Sequence, residues 1–380
     1  MSANRFLVWG TFDTGKPRVR MLVEALRAND PGITVCHRNP WAGIEDKSQI
    51  KGLGARLAVL ARWLLAYPAL VWAYLRAPRH QVVVVPYPGN LDVLVLWPLA
   101  KLRGARICWD MFLSIYDTTV VDRAMLRGGG LAARLLYGAE WLSTRAADRI
   151  LLDTRAHAAY VATLFRLRAE KVDAFWVGAE TQLFKPAAQA PATDPVEVLF
   201  YGQFIPLHGL DTIVAAIERI EQRTDAPPLH FTIVGSGQEQ PRIDRLIASK
   251  GLRTITRIPW VAFDELPGLI ARASICLGVF AADGKGTRVI PNKVFQIMAA
   301  GRPLITMDSP AIRELVSPGL ALRLVPPGDD AALADAILAM ARDLAAPGGA
   351  NLLHQTALTA MPRIGTSTIL TQFVAASETL

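Results

Sequence analysis

Cysteine is scarce in this chain, with Cys36, Cys108 and Cys276 the only three in 380 residues. They stand far apart and in no metal-ligand spacing. That argues against a disulfide framework or a zinc module and implies a reduced, cytoplasmic setting. No uninterrupted apolar run reaches the roughly 20 residues that a spanning helix needs. The longest, Trp63 to Leu75, has 13 and contains Pro68. No segment is low in complexity, and no Asp-x-Asp pair marks a metal site at a strand end. The opening MSANRFLVWGTF reads as a strand start, too short for a signal peptide.

About half of the residues are apolar (52%), and the length suits two domains with separate cores. The net charge of +8 is unevenly placed. Residues 1–185 carry 25 Lys and Arg against 15 Asp and Glu, and residues 186–380 carry 16 against 18. A basic first half calls for an anionic partner. Its cations form no stripe interleaved with aromatics, so no nucleic acid is expected, and an anionic membrane surface ranks first. Leu53–His80 fits that partner. It is apolar, with Arg56 and Arg62 near one end and Arg76, Arg79 and His80 near the other. Two readings fit: core helices, or an interfacial helix with Trp63, Tyr67 and Trp72 at headgroup depth. The abundance of Trp and Arg favours the interface, and Pro68 is expected to break the helix.

Strands and helices alternate along the whole chain. FLVWG (6–10), ITVCHR (33–38), VVVVPYPG (82–89), ARICWDMF (105–112) and RILLDT (149–154) read as strands of a doubly wound sheet. After a Pro/Ala linker at 185–195 the pattern restarts with VEVLFYG (196–202) and LHFTIVGSG (229–237). It continues with TRIPWV (256–261), SICLGVF (274–280), PLITM (303–307) and LALRLVP (320–326).

The most informative stretch is Val279–Thr306. Lys285 and Arg288 flank Gly286, Pro291 leads an apolar helix, and Gly301 ends it. Lys293 lies in that helix's first turn, where the dipole disfavours a cation. Cations beside a helix N-terminus suggest an anion, most simply phosphate. A buried helix behind a solvated basic loop is the plainer alternative.

Pro291, Lys293, Met298, Ala299, Gly301 and Pro303 resemble the donor-site signature of retaining glycosyltransferases of family 4. The resemblance implies the GT-B fold, two Rossmann-like doubly wound domains facing across a cleft. It implies an acceptor-binding, membrane-facing domain over 1–185 and a nucleotide-sugar-binding domain over 196–360. A final segment, 361–380, would cross back to the first domain. It also implies a nucleotide-sugar donor, no metal cofactor, and a lipid-linked or glycolipid acceptor at the cytoplasmic membrane face. Two departures stand out. Arg288 and Gln296 occupy the places of two glutamates, and Gln203 and His208 those of a phosphate-binding Arg and Lys. A GT-B sugar-nucleotide epimerase and a degenerate partner subunit are the rivals.

On this resemblance the donor residues are Gly202, Gln203, His208, Gly209, Gly235, Val261, Lys285, Arg288, Asn292, Lys293 and Gln296. Trp260 lies in the same nucleobase segment, or ends a buried strand. Glu180 and Phe184 match the family's interdomain segment. In the first half, Gly10, Thr11, Lys16 and Arg18 form a first β-α loop that is either a second anion site or a solvated turn. Asp110, Tyr116, Asp117 and Asp122 follow a strand end, where open α/β sheets bind ligands. Asp110 and Asp117 are the expected catalytic carboxylates, orienting an acceptor hydroxyl. Asp153 and Thr154 line the same edge or cap a helix.

Overall fold

The computed structural model describes residues 4–40, 53–186, 188, 190, 194–282, 284–359 and 364–377. The chain divides into two compact units, one running to Val177 and taking in the last helix, the other Gly178–Gly365. The division precedes the Pro/Ala stretch, part of which lies outside the described residues. So do residues 361–363 and the side chain of Arg56.

The first unit alternates strands and helices: β1 (Asn4–Gly10), α1 (Pro17–Asn29), β2 (Thr34–His37), α2 (Leu53–Arg76), β3 (His80–Val85), α3 (Asn90–Arg103), β4 (Arg106–Phe112), α4 (Leu131–Ala146), β5 (Arg149–Leu152), α5 (Arg155–Phe165) and β6 (Val172–Ala174). The strands are parallel in the order β2-β1-β3-β4-β5-β6. Runs such as Val82–Val85 are buried on both faces, as a sheet covered by helices requires. One core packs α2, α3 and α5 on one face, the other packs α1 and the C-terminal helix on the opposite face.

The second unit holds β7 (Val196–Tyr201), α6 (Leu210–Glu221), β8 (Leu229–Val234), α7 (Gln240–Lys250), β9 (Ile255–Ile258), α8 (Leu266–Arg272), β10 (Ile275–Leu277), α9 (Asn292–Ala299), β11 (Leu304–Met307), α10 (Ile312–Leu315), β12 (Leu322–Val325), α11 (Asp330–Ala345) and α12 (Gly349–Thr359). Its parallel order is β12-β11-β10-β7-β8-β9. In each sheet the strand order reverses once, beside β1 in the first and between β7 and β10 in the second. Ligands of open sheets sit past the strand ends at those reversals. The last helix, α13 (Thr366–Ser377), packs on α1, and Phe373 meets Phe6 and Phe175, both at 5.6 Å between ring centroids.

Three local expectations are corrected. Strand β3 stops at Val85, because Pro86 and Pro88 donate no ladder hydrogen bond and Gly89 turns left-handed (φ 62). Strand β9 stops at Ile258, which leaves Trp260 65% exposed rather than at a buried strand end. Helix α2 runs through Pro68 without a break. Pro68 sits on the exposed side, while Tyr67, Leu70 and Tyr74 anchor the inner face before and after it. Burial at about 1.5–3 kcal/mol per large apolar side chain offsets the roughly 3 kcal/mol of an interior proline.

Candidate donor-phosphate site and the loops of the first sheet

At the reversal of the second sheet, three short segments converge. The turn after β7 carries Gly202, Gln203, His208 and Gly209, and Gly209 heads α6. A one-turn helix, Gly284–Thr287, carries Lys285 and packs against the 206–208 turn. Helix α9 begins at Asn292 and places Lys293 in its first turn, with Pro291 as N-cap. A Cβ on Gly202 (φ 145) would lie 3.0 Å from both Lys293 Nζ and His208 Cε1. A Cβ on Gly235 would lie 1.8 Å from the Gly202 carbonyl oxygen. Only glycine allows these two strand-end loops to close on the lysine.

Lys293 is buried. Its Nζ lies 3.8 Å from the centroid of the Phe200 ring and 3.5 Å from the Gly278 carbonyl oxygen, and among the described residues no carboxylate pairs with it. Burial pushes its pKa well below the ordinary lysine value. An anion bound beside this helix N-terminus would offset that desolvation and favour the charged lysine. His208 is buried nearby, its Nδ1 against the Gln203 carbonyl oxygen. With Nδ1–H donating there, Nε2 donates only when the ring is protonated. Lys285 is buried as well, while Arg288 and Asn292 are half-buried beside it. Gln296 lies one turn beyond Lys293, and the Tyr201 hydroxyl donates to its Oε1 at 2.9 Å. Val261 is half-buried in the loop after β9, outside this cluster.

Sequence reading missed the groups that brace the site. Tyr201 ties β7 to α9. Arg257 donates to the Gly235 carbonyl oxygen at 3.1 Å, stacks 4.4 Å over Phe204 and pairs with Asp244. Neither residue type signals such a role at a strand position.

The first unit corrects the catalytic assignments. Asp110 is 0% exposed and accepts from Arg18 Nε at 2.8 Å, with Nη2 at 2.7 Å. Arg18 also donates to the carbonyl oxygens of Phe175 (2.6 Å) and Leu152 (2.8 Å) and stacks 3.7 Å over the Phe175 ring. The pair is a strut joining α1 to the ends of β4, β5 and β6. Both side chains are thus buried and engaged with each other, which the expected ligand roles did not include. Asp117 is also fully buried, at the start of a π-helical turn (Asp117–Asp122), with its N–H donating to Ser114 Oγ at 3.0 Å. An acceptor hydroxyl does not reach it. Tyr116 and Asp122 are half-buried on the same loop.

Thr11 is committed too. Its N–H and hydroxyl both donate to buried Asp92, at 2.8 Å each, and its Oγ accepts from Trp63 Nε1 at 2.7 Å. Tyr67 donates to the same carboxylate at 2.8 Å. Gly10 closes against Asp92, and Lys16 is the half-buried N-cap of α1. Glu140, buried on α4, accepts from Ser114 Oγ (2.8 Å) and from the N–H groups of Ile115 and Tyr116 (2.9 Å each). Thr154 caps α5 by accepting from the His157 N–H, and Asp153 meets His157 Nδ1 at 2.6 Å. Asp92 and Glu140, each the lone acid of an apolar helix, carried the sequence signal that was overlooked.

Residues 195–343 match the family model described as glycosyl transferases group 1. The putative colanic acid biosynthesis glycosyl transferase WcaI of Escherichia coli is 27% identical over 255 residues, 62% of this chain and 60% of that protein. The phosphatidyl-myo-inositol mannosyltransferase of Mycobacterium leprae is 29% identical over 147 residues, 38% of this chain and 37% of that one. The chain thus spans about 60% of the length of WcaI and less of the second relative. Among solved structures, Anabaena Alr3699/HepE in complex with UDP and glucose superposes with a TM-score of 0.66 at 15% identity, over 99% of this chain and 100% of that one. With its two parallel sheets the chain has the GT-B fold, and residues 195–343 of its second unit are similar to the group 1 glycosyltransferases.

Proposed function

We propose that the protein transfers a sugar, with retention at the anomeric carbon, from a nucleotide-sugar to a lipid-linked or glycolipid acceptor at the cytoplasmic membrane face, without a metal cofactor. The observation that carries this is Lys293, a buried lysine with no carboxylate partner among the described residues, set against Gly202 and His208 at the strand reversal. The HepE structure holds UDP and glucose at such a fold, and the M. leprae relative is named for a phosphatidyl-inositol.

The donor's diphosphate lies along the Gly202–Gly209 turn and the start of α9. Lys293, Lys285 and Arg288 meet its charge, with the α9 dipole and a protonated His208. Asn292 and Gln296 face the donor's hydroxyls, and Val261 with Gly235 borders the base. As the bond from the anomeric carbon to the phosphate oxygen breaks, its electron pair moves onto the diphosphate. Fixed cations in a dry site stabilise that developing charge without reorganising. The acceptor hydroxyl oxygen bonds to the anomeric carbon, and its proton passes to the departing diphosphate. The loops bearing Lys16, Tyr116 and Asp122 receive the acceptor.

Calorimetric titration with nucleoside diphosphates tests this reading. The wild type binds one of them, and a ligand at ~100 times its Kd stabilises by about 2.7 kcal/mol. Lys293→Ala weakens binding by about 1.5–3 kcal/mol, the worth of a hydrogen bond to a charged group. Unchanged turnover in EDTA supports metal independence. Absence of binding to every nucleoside diphosphate defeats the proposal.

A further inference from the structure

Helices α2, α3 and α4 lie side by side on one face of the first sheet, α2 against α3 and α3 against α4. Their inner sides are buried. Their outer sides expose Leu57, Leu60, Leu64, Leu65, Trp72 and Leu75 on α2. Trp97 and Leu102 follow on α3, and Leu131, Leu135, Trp141 and Leu142 on α4. Leu102 is 85% exposed, and Leu65 and Leu131 about three-quarters. Exposed apolar side chains on three neighbouring helices of this kind point to an interaction site.

The charges on this face have one sign. Arg62 and Arg76 stand on α2, Lys101 on α3, and Arg134 and Arg145 on α4, none of them in an ion pair among the described residues. Arg76 lies 4.1 Å over the Trp72 ring, and Arg145 lies 4.0 Å over that of Trp141. The three helices carry two carboxylates, Asp92 and Glu140, and both are 0% exposed. A second copy of this face would set cations against cations. A bilayer of anionic lipid supplies hydrocarbon for the leucines, a headgroup layer for the tryptophans and phosphates for the arginines.

We infer that the whole outer face of α2–α3–α4 docks flat on an anionic bilayer, with α4 contributing as much as α2. This rests on the membrane reading above and extends it from one helix to three. The docking face is also tied to the ligand loops. On their inner sides, α2 holds Thr11 through Trp63 and Asp92 through Tyr67, and α4 holds Ser114–Tyr116 through Glu140. Docking therefore fixes both loops at one depth relative to the lipid headgroups.

The test is co-sedimentation of the full chain with phosphatidylglycerol/phosphatidylcholine vesicles and with phosphatidylcholine alone. Three variants are compared: Leu135→Gln with Leu142→Gln on α4, Leu64→Gln with Leu65→Gln on α2, and Leu352→Gln in the second unit. All five leucines are exposed, and circular dichroism checks folding. Both helix variants are expected to lower partition by ten-fold or more, roughly the burial of one or more leucines, while Leu352→Gln matches wild type. Loss in the α2 variant with none in the α4 variant overturns the three-helix face and leaves the membrane reading standing. Wild type that ignores anionic vesicles overturns both. A wild type that runs as a dimer, with the α4 variant a monomer, makes the face a protein interface and overturns the proposal.

Discussion

The two units share one architecture and wear opposite surfaces. In the second unit most cations on the outside are partnered: Arg219 with Asp330, Arg223 with Asp335, Arg242 with Asp211, Lys250 with Glu218, Arg313 with Asp308, Arg323 with Asp343 and Arg342 with Asp225. In the first unit half of the described carboxylates turn inward, including both of those on α2, α3 and α4. Asp92, Asp110, Asp117 and Glu140 are buried, and Arg62, Arg76, Lys101, Arg134 and Arg145 on α2, α3 and α4 form no ion pair among the described residues. Among the described residues, fourteen of the eighteen exposed large apolar side chains belong to the first unit. The second unit is finished as a surface facing water. The first turns several acids into internal struts and leaves cations and leucines on the outside of α2, α3 and α4. Charge sign along the chain hinted at this division. The structure adds that the two acids of α2, α3 and α4 are buried, which sharpens on that face the charge difference already present in the sequence.

The sharpest way to break the comparison is to open an internal strut. Asp110→Asn leaves Arg18 charged, buried and short of its partner, a change that costs about 3–5 kcal/mol. Calorimetry is expected to show the first unit melting earlier, with nucleoside-diphosphate binding by the second unit intact. A mutant of unchanged stability that has lost transfer would return Asp110 to catalysis.

Lys293 gives the second unit's counterpart, with the opposite sign. Burial lowers its pKa, so in the pH range between that depressed value and the ordinary value near 10.4 the unfolded chain binds the extra proton. Stability carried by this site is therefore full above the unfolded value and lost as pH falls toward the folded one. At neutral pH Lys293→Met is expected to raise the apo melting temperature, by about 2–4 °C for each kcal/mol relieved in a domain of this size. It should also abolish stabilisation by nucleoside diphosphate. A lower melting temperature would mean that the lysine is needed for packing rather than held for an anion.

How far these features were legible beforehand follows from their physics. Strand–helix alternation was legible because buried parallel strands need apolar runs, and Val82–Val85 or Leu229–Val234 could be little else. The cluster around Lys293 was legible as a candidate because Pro291, Lys293 and Gly301 stand at fixed offsets about one helix, and a short-range pattern survives in sequence. The strut between Arg18 and Asp110 was not, because it joins residues 92 apart. An exposed basic loop and a buried ion pair draw on the same residue types, and only burial tells them apart. Pro68 misled for a related reason: propensity argues against a helix, and tertiary packing on one side overrides it.

Acid titration sets the units against each other more gently. Burial pushes the carboxyl groups of Asp92 and Glu140 up, against the hydrogen bonds they accept. Between their unfolded values near 4 and the raised folded values, the folded state holds more protons, so stability rises as pH falls. In the second unit Asp308 is held down, chiefly by the hydrogen bond from Arg313. Its contribution is present above the unfolded value and is lost as pH falls toward the folded one. Calorimetry on mild acidification from neutral is expected to hold or raise the first unit's transition relative to the second's. The reverse order would show that loss of the Ser114–Tyr116 and Thr11 hydrogen bonds outweighs relief of buried charge.

The smallest effects compare one exposed arginine from each surface. Arg342 and Asp225 are both more than half exposed, and their pair spans the end of α11 and the loop after α6. Such pairs are worth about 0–1 kcal/mol, because water screens them and two long side chains must be held still. Arg342→Gln is therefore expected to lower the second unit's stability by no more than that and to leave vesicle binding alone. Arg76 has no carboxylate to lose and lies over Trp72 at the outer face of α2. Arg76→Gln should leave stability within error and weaken partition to anionic vesicles by about five-fold, equivalent to about 1 kcal/mol for one basic residue at the lipid surface. That loss should shrink as salt shortens the Debye length from ~10 Å at 0.1 M. If the two substitutions prove interchangeable in both assays, the difference between the surfaces is cosmetic, and the cations of the first unit are ordinary solvated charge.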